Sequence, residues 1–454
     1  MLVIKNAAVY TPDQFIAQGA VLADAGRIQA VGPAAAVPCP DAAQVIDAAG
    51  LVLAPGFIDL QINGAFGDDF TSAPTSIWRA AERLPRYGVT SFLPTIISSP
   101  LSQIAAGQQV VIAGQPAGFR GARPLGLHVE GPFLNPRKKG AHHPNHLRQP
   151  DLNAVADWSP AAGVRLVTLA PELPGALDVI AALSARGVLV SLGHSMATYD
   201  QAAAGFDAGA RGGTHLFNAM PALGHRDPGL VGALLTDERL TVGFIADGIH
   251  THPAVIKLVW QALGSGRLAL VTDAMAALGM PPGRYRLGDD EVMVDAVSCR
   301  LADGALAGSI LSPDQALRNL IAAAGCTLAE ALPMVTTTPA RAIGLGHARG
   351  RIAEGCIADM VLLTPDLHVR TTIVEGDVVY GAAEQHRPTV NGSGYKMKGP
   401  GGRLATPPRE RIGQLAAPKG LHLVAGRPLA SGGVRSRTAS GLRRRGRDNS
   451  ISPA

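Results

Sequence analysis

The chain has 454 residues, 47% hydrophobic and 17% charged, enough to bury a substantial core in more than one domain. The formal net charge of +5 is carried by the C-terminal stretch: residues 386–454 hold 14 of the 40 Lys and Arg but 2 of the 35 Asp and Glu, which leaves the rest at −7. That excludes nucleic acid as an expected partner of the main body, and no apolar run reaches the ~18–20 residues needed to cross a bilayer.

The first fifty residues read as short strands separated by turn residues, with no basic segment leading into a long apolar one, so no signal peptide is expected. A second cluster of strands follows at 350–380. Two strand clusters bracketing a central unit predict one discontinuous β-sandwich domain closed by both ends, 1–53 and 350–382. The four cysteines (Cys39, Cys299, Cys326, Cys356) form no Cys-x-x-Cys pair and suit reduced thiols in the cytoplasm.

Between the clusters, eight strand-like runs alternate with helix-length stretches, at 57–62, 89–97, 124–129, 164–170, 188–192, 213–216, 242–246 and 268–271. Amphipathic stretches lie at 76–87, 176–186 and 198–208. This rhythm predicts an α/β fold, a (β/α)8 TIM-type barrel over 54–349. An irregular insertion is expected at about 279–303, then two helices, the first opening on Pro313, which a first turn tolerates. From 383 to 454 the chain is rich in Arg, Gly, Pro and Ser without periodicity, and a disordered basic tail is expected.

Several strand-like runs stop at a residue able to do chemistry. "LGLHVEGPFLN" places Glu130 at a strand end, and a buried carboxylate there needs a cationic partner or a metal. "LGHS" and "GGTHLFNAM" add His194 and His215. Two imidazoles and a carboxylate would leave a coordination position open, as catalytic zinc sites do, although 64 and 21 residues separate the three. Each is otherwise a hydrogen-bonded core residue or, for Glu130, half of a salt bridge. Asp273 in "LVTDAM" ends the eighth strand, placed to act as a general base, a second metal ligand or a helix N-cap, with the base favoured. The loop "RKKGAHHPNH" (137–146), Asn218, Arg226 and His250 suit a polar, anionic substrate.

Together "HVEGPF", "GHS", "GTHLFNAM", "ADGIH", "LVTDA" and "LAGS" resemble the amidohydrolase superfamily and, within it, the N-acetylglucosamine-6-phosphate deacetylases, from about residue 1 to 380. The resemblance implies hydrolysis of the acetamide of N-acetyl-D-glucosamine 6-phosphate. It implies one divalent metal on Glu130, His194 and His215, zinc before iron, cobalt or manganese, with Asp273 as general base and then acid. His142 would polarise the carbonyl beside Ala141. Asn218, Ala219, Arg226 and the loop Asp247, Gly248, Ile249, His250 would hold the sugar phosphate, and Leu306, Ala307, Gly308 and Ser309 would cover the sugar. It further implies a homodimer, or a tetramer, in which His250 reaches the neighbouring subunit's site. Where many members carry His-x-His, this chain reads "DLQING". Gln61 and Asn63 are poor metal ligands, so a second metal is not expected. The galactosamine epimer is the alternative substrate, and a sugar-phosphate-binding protein without catalysis is the alternative class.

Overall fold

The computed structural model describes residues 1–381; the expectation for the basic tail lies outside them. Eight strands run parallel in chain order: Phe57–Ile62, Val89–Ile97, Leu127–Glu130, Val164–Leu169, Leu189–Leu192, Gly212–Gly213, Thr241–Phe244 and Leu268–Leu270. All nine residues of Val89–Ile97 are buried, as a strand covered on both faces requires. The circle closes through a single bridge, Ile62 to Ala274, reinforced by the Asp273 N–H donating to Gln61 O at 2.9 Å. This is a (β/α)8 barrel closed loosely on the side where its first and last strands meet.

Most strands agree with the sequence reading, and the differences have local causes. The third begins at Leu127 because Gly126, at φ 133°, separates it from Pro124. The sixth is cut to Gly212–Gly213 because His215 and Phe217 take left-handed backbone, φ 31° and 76°. Helix Ile77–Arg83 gives way to a 3-10 turn at Leu84–Tyr87, where Pro85 withdraws an N–H donor. Helix Tyr199–Asp207 starts from a capping box between Thr198 and Gln201. Pro313 opens helix Pro313–Ala324, as expected. After the third strand no α-helix forms; prolines 136 and 144 each start a short 3-10 turn, Pro136–Lys138 and Pro144–His146.

The insertion expected to be irregular is an ordered antiparallel sheet of Gly283–Leu287, Asp290–Val294 and Cys299–Arg300. Its turn, Gly288–Asp289, has glycine first at φ 57°, the position a two-residue hairpin reserves for it. Leu287, Val292, Val294 and Cys299 then bury a small core of their own against Ile97, Met275 and Ala307.

Both ends of the described residues enter one eight-stranded sheet, in the order Asp377–Gly381, Val369–Val374, Met360–Leu363, Val52–Pro55, Leu2–Tyr10, Phe15–Asp24, Arg27–Pro33, with Gln44–Asp47 pairing Leu2–Tyr10. Strand alternation divides its side chains between two cores. Met360 and Leu362 face the sheet's own interior with Ile4, Val21 and Leu53, whereas Val361 and Leu363 join the barrel core. Charges stitch the junction: Arg349 pairs with Asp359 and, at 2.9 Å, with Glu375, which also accepts from Arg123 at 2.8 Å. No described helix is long and apolar enough to cross a membrane.

Candidate active site

Glu130, His194, His215 and Asp273 come together at the strands' C-terminal ends, the barrel face where loop-borne chemistry collects. His194, His215 and Asp273 all hold left-handed backbone, φ 49°, 31° and 51°. A non-glycine residue in that region carries strain of about 1–3 kcal/mol, and such strain concentrates at functional sites. Glu130 Oε1 lies 3.2 Å from His194 Nε2 and 3.0 Å from His215 Nε2, and the two imidazole nitrogens are 3.0 Å apart. Taken one per residue, three candidate ligand atoms fall within 4.8 Å of one another, and all three side chains are buried. Burial alone would raise the Glu130 carboxyl, but hydrogen bonds from His194 and His215 outweigh it and hold the group well below the usual carboxylate range. His215 moves the other way: burial alone would lower it, but Glu130 overcomes this and raises it.

Ring orientation follows from the far nitrogens. His194 Nδ1 donates to Lys138 O at 2.8 Å, which turns Nε2 towards the cluster. In His142 the polarity is reversed: Nδ1 accepts from the Ser98 backbone N–H at 3.1 Å, so the ring proton sits on Nε2, 3.7 Å from Glu130 Oε2. Burial, then the neighbouring His194, pushes His142 down to about 3, so it stays neutral and presents an N–H. Gly131 makes this contact feasible, since a Cβ there would stand 2.3 Å from Ser98 Oγ.

Asp273 is held by amides. Asn63 Nδ2 donates to its Oδ1 at 2.6 Å, and Gln61 Nε2 reaches the same oxygen at 3.1 Å and Glu130 Oε1 at 3.0 Å. Burial, and then the charge of Glu130, pushes the Asp273 carboxyl up to about 6. Gln61 is therefore a hydrogen-bond donor between two carboxylates and Asn63 a donor to Asp273, roles that their identity as poor ligands did not reveal.

A cavity of about 300 Å³ lies over the cluster. Of the residues expected from sequence, Glu130, Ala141, His142, His194, His215, Asn218, Ala219, His250, Asp273, Leu306 and Gly308 line it. Arg226 is on an exposed loop outside the lining. Asp247 acts one step back, accepting from His250 Nδ1 at 2.6 Å, and Gly248 and Ile249 form the turn between them. Ala307 is buried in the hairpin core, and Ser309 donates from Oγ to Thr272 O at 2.6 Å. Arg137 and Lys138 also line the cavity; the basic loop pointed to them, but no spacing rule singled them out.

A parallel barrel with two imidazoles and a carboxylate at its mouth, beside a carboxylate near neutrality, defines the class of metal-dependent hydrolases. The comparisons agree. Residues 52–379 match the model described as "Amidohydrolase family", and the chain belongs to the amidohydrolase family. It is 44% identical over 357 residues to the N-acetylglucosamine-6-phosphate deacetylase of Bos taurus, covering 75% of this chain and 86% of that protein. It is 42% identical over 331 residues to the N-acetylgalactosamine-6-phosphate deacetylase of Escherichia coli O157:H7, covering 72% and 87%. The crystal structure of the Pasteurella multocida N-acetylglucosamine-6-phosphate deacetylase superposes with a TM-score of 0.78 at 34% identity, covering 83% of this chain and 99% of that one.

Proposed function

We propose that the chain hydrolyses the acetamide of N-acetyl-D-glucosamine 6-phosphate, giving D-glucosamine 6-phosphate and acetate. The observation that carries this reading is the convergence of Glu130, His194 and His215 beside an Asp273 carboxyl raised to about 6. The donor set fits one divalent ion, zinc in our reading: a buried carboxylate and two buried imidazoles face one another, with ligand atoms within 4.8 Å. Such an ion supplies Lewis acidity, lowering the pKa of a water from about 15.7 towards 7 and polarising a carbonyl.

The chain's own groups do the rest. Asp273, fixed by Asn63 and Gln61, takes the proton of the attacking water and delivers it to the departing nitrogen. The C–N bond breaks, the water oxygen stays with the acetyl carbon, and the amine leaves neutral. His142 offers its Nε2–H to the carbonyl oxygen as negative charge develops there. Arg137, Lys138, Asn218 and His250 make the cavity cationic and polar and would receive the phosphate, whereas Arg226 lies on an exposed loop outside the lining. Leu306 and Gly308 cover the sugar. Free thiols at Cys39, Cys299, Cys326 and Cys356 support a reducing, cytoplasmic setting. A homodimer is the assembly we assign, to be checked by light scattering.

The test is acetate release from N-acetylglucosamine 6-phosphate and its galactosamine epimer, with metal content measured on the same protein. Acetate from the glucosamine substrate with near one ion per chain supports the reading. Faster release from the galactosamine epimer moves it to that substrate, and no release from metal-loaded protein overturns it in favour of a binding role.

A further inference from the structure

Glu172 stands just past the fourth barrel strand and does not line the cavity. Its carboxylate accepts three hydrogen bonds, from Asn135 Nδ2 at 2.9 Å, Ser195 Oγ at 2.7 Å and the Met196 backbone N–H at 2.6 Å. Ser195 and Met196 directly follow His194 in the chain. Asn135 starts the turn Pro136–Lys138, its Oδ1 accepting from the Arg137 N–H at 2.9 Å, and its own N–H donates to His194 O at 2.9 Å. That turn presents the Lys138 carbonyl to which His194 Nδ1 donates at 2.8 Å. One carboxylate thus holds both the backbone leaving His194 and the turn that orients its ring. His194 itself sits at φ 49°, a conformation its own chain preference does not maintain.

We propose that Glu172 is a positioning residue for the divalent-ion site, fixing the direction of the His194 Nε2 lone pair through the Asn135 turn and the Ser195–Met196 backbone. The inference rests on the metal reading made above. A carboxylate is suited to this place because it offers acceptors only, and all three groups facing it are donors. Partners at this distance from a ligand change metal affinity by about 10–100-fold when removed.

The experiment uses the full chain, stripped with a chelator and titrated with cobalt(II), whose visible absorption reports ligand geometry. Affinity is measured by competition with a chromogenic chelator, beside kcat, KM and the melting temperature of the metal-free protein. Glu172→Ala is expected to weaken cobalt binding by about 10–100-fold, alter the absorption bands and lower kcat, with KM within about twofold of wild type. Glu172→Gln keeps the shape but turns one acceptor into a donor, and is expected to fall between the two. If Glu172→Ala fails to fold, the Gln variant decides: weaker cobalt binding supports the proposal, and wild-type affinity with an unchanged spectrum overturns it. A Glu172→Ala protein with wild-type affinity and spectrum overturns it equally. No cobalt uptake by the wild-type chain would instead overturn the metal reading on which it stands.

Discussion

Glu130 and Asp273 are two buried carboxylates that share one amide donor, Gln61; burial pushes both up, but their other partners differ and carry them to opposite sides. Glu130 has two imidazoles and stays ionised, whereas Asp273 has amides and is pushed up to about 6. Protonated Asp273 cannot act as a base, so kcat/KM should fall as pH drops through its midpoint. A bound cation favours the carboxylate, so that acid limb is expected at or below about 6, and one above about 7 would assign it to another group. Asp273→Asn should lower turnover by about 10²–10⁴-fold while metal content stays at the wild-type level, checked by acetate release and elemental analysis. Asp59 lies beneath, and burial pushes its carboxyl up to about 7 from 3.8. The folded chain therefore keeps a proton that the unfolded chain gives up between those values, and Asp59 makes stability fall as pH rises through that window. Asp59→Asn should flatten the drop in urea midpoint between about pH 4.5 and 7.5. Glu130, His194 and Asp273 were legible in sequence because each ends a strand-like run, and His215 through the string "GGTHLFNAM". The left-handed backbone of His194, His215 and Asp273 was not, nor was the donor role of Gln61, whose partners lie 69 and 212 residues away.

The connection after the third strand and the hairpin after the eighth face the same cavity from opposite sides of the sequence. Leu287 of the hairpin and Arg137 to His142 of the connection line it, and His146 Nε2 meets Asp289 Oδ2 at 2.6 Å to join them. The pair is exposed on the Asp289 side and contributes little to stability. Asp289→Ala should leave the melting temperature nearly unchanged and raise KM by a few-fold with kcat retained, measured by steady-state kinetics. A fall in kcat with KM unmoved would show that the pair does not order the cavity rim. Glycine and proline marked these segments as breaks in the barrel rhythm. Their mutual contact was invisible, because His146 and Asp289 carry no periodic signal and meet only when the barrel closes. The same is true of Glu172, one acidic residue among Pro and Leu in "APELPG".

Across the whole molecule, the rhythm of strands and helices predicted the barrel, but its closure by one bridge between Ile62 and Ala274 had no counterpart in the sequence pattern. The terminal sheet was read as a product of two strand clusters, and the pairing of Met360–Leu363 with Val52–Pro55 joins them. Arg349 anchors the junction; Arg349→Ala leaves Asp359 buried without its cation and should destabilise the protein by about 3–5 kcal/mol in urea titration. The cavity lining runs from Asn63 to Gly308. A chain ended after Gly381 should therefore keep full acetate release, while losing whatever affinity for heparin the basic residues 386–454 provide.

The terminal sheet also dictates an order of events during synthesis. Val52–Pro55 is made early, yet one of its neighbours, Met360–Leu363, leaves the ribosome some three hundred residues later. Until then the nascent sheet has an unpaired edge of Val, Leu and Ala directly beside the first barrel strand, a surface prone to pairing with other chains. Among the described strands the last made, Asp377–Gly381, becomes the outer edge of the finished sheet.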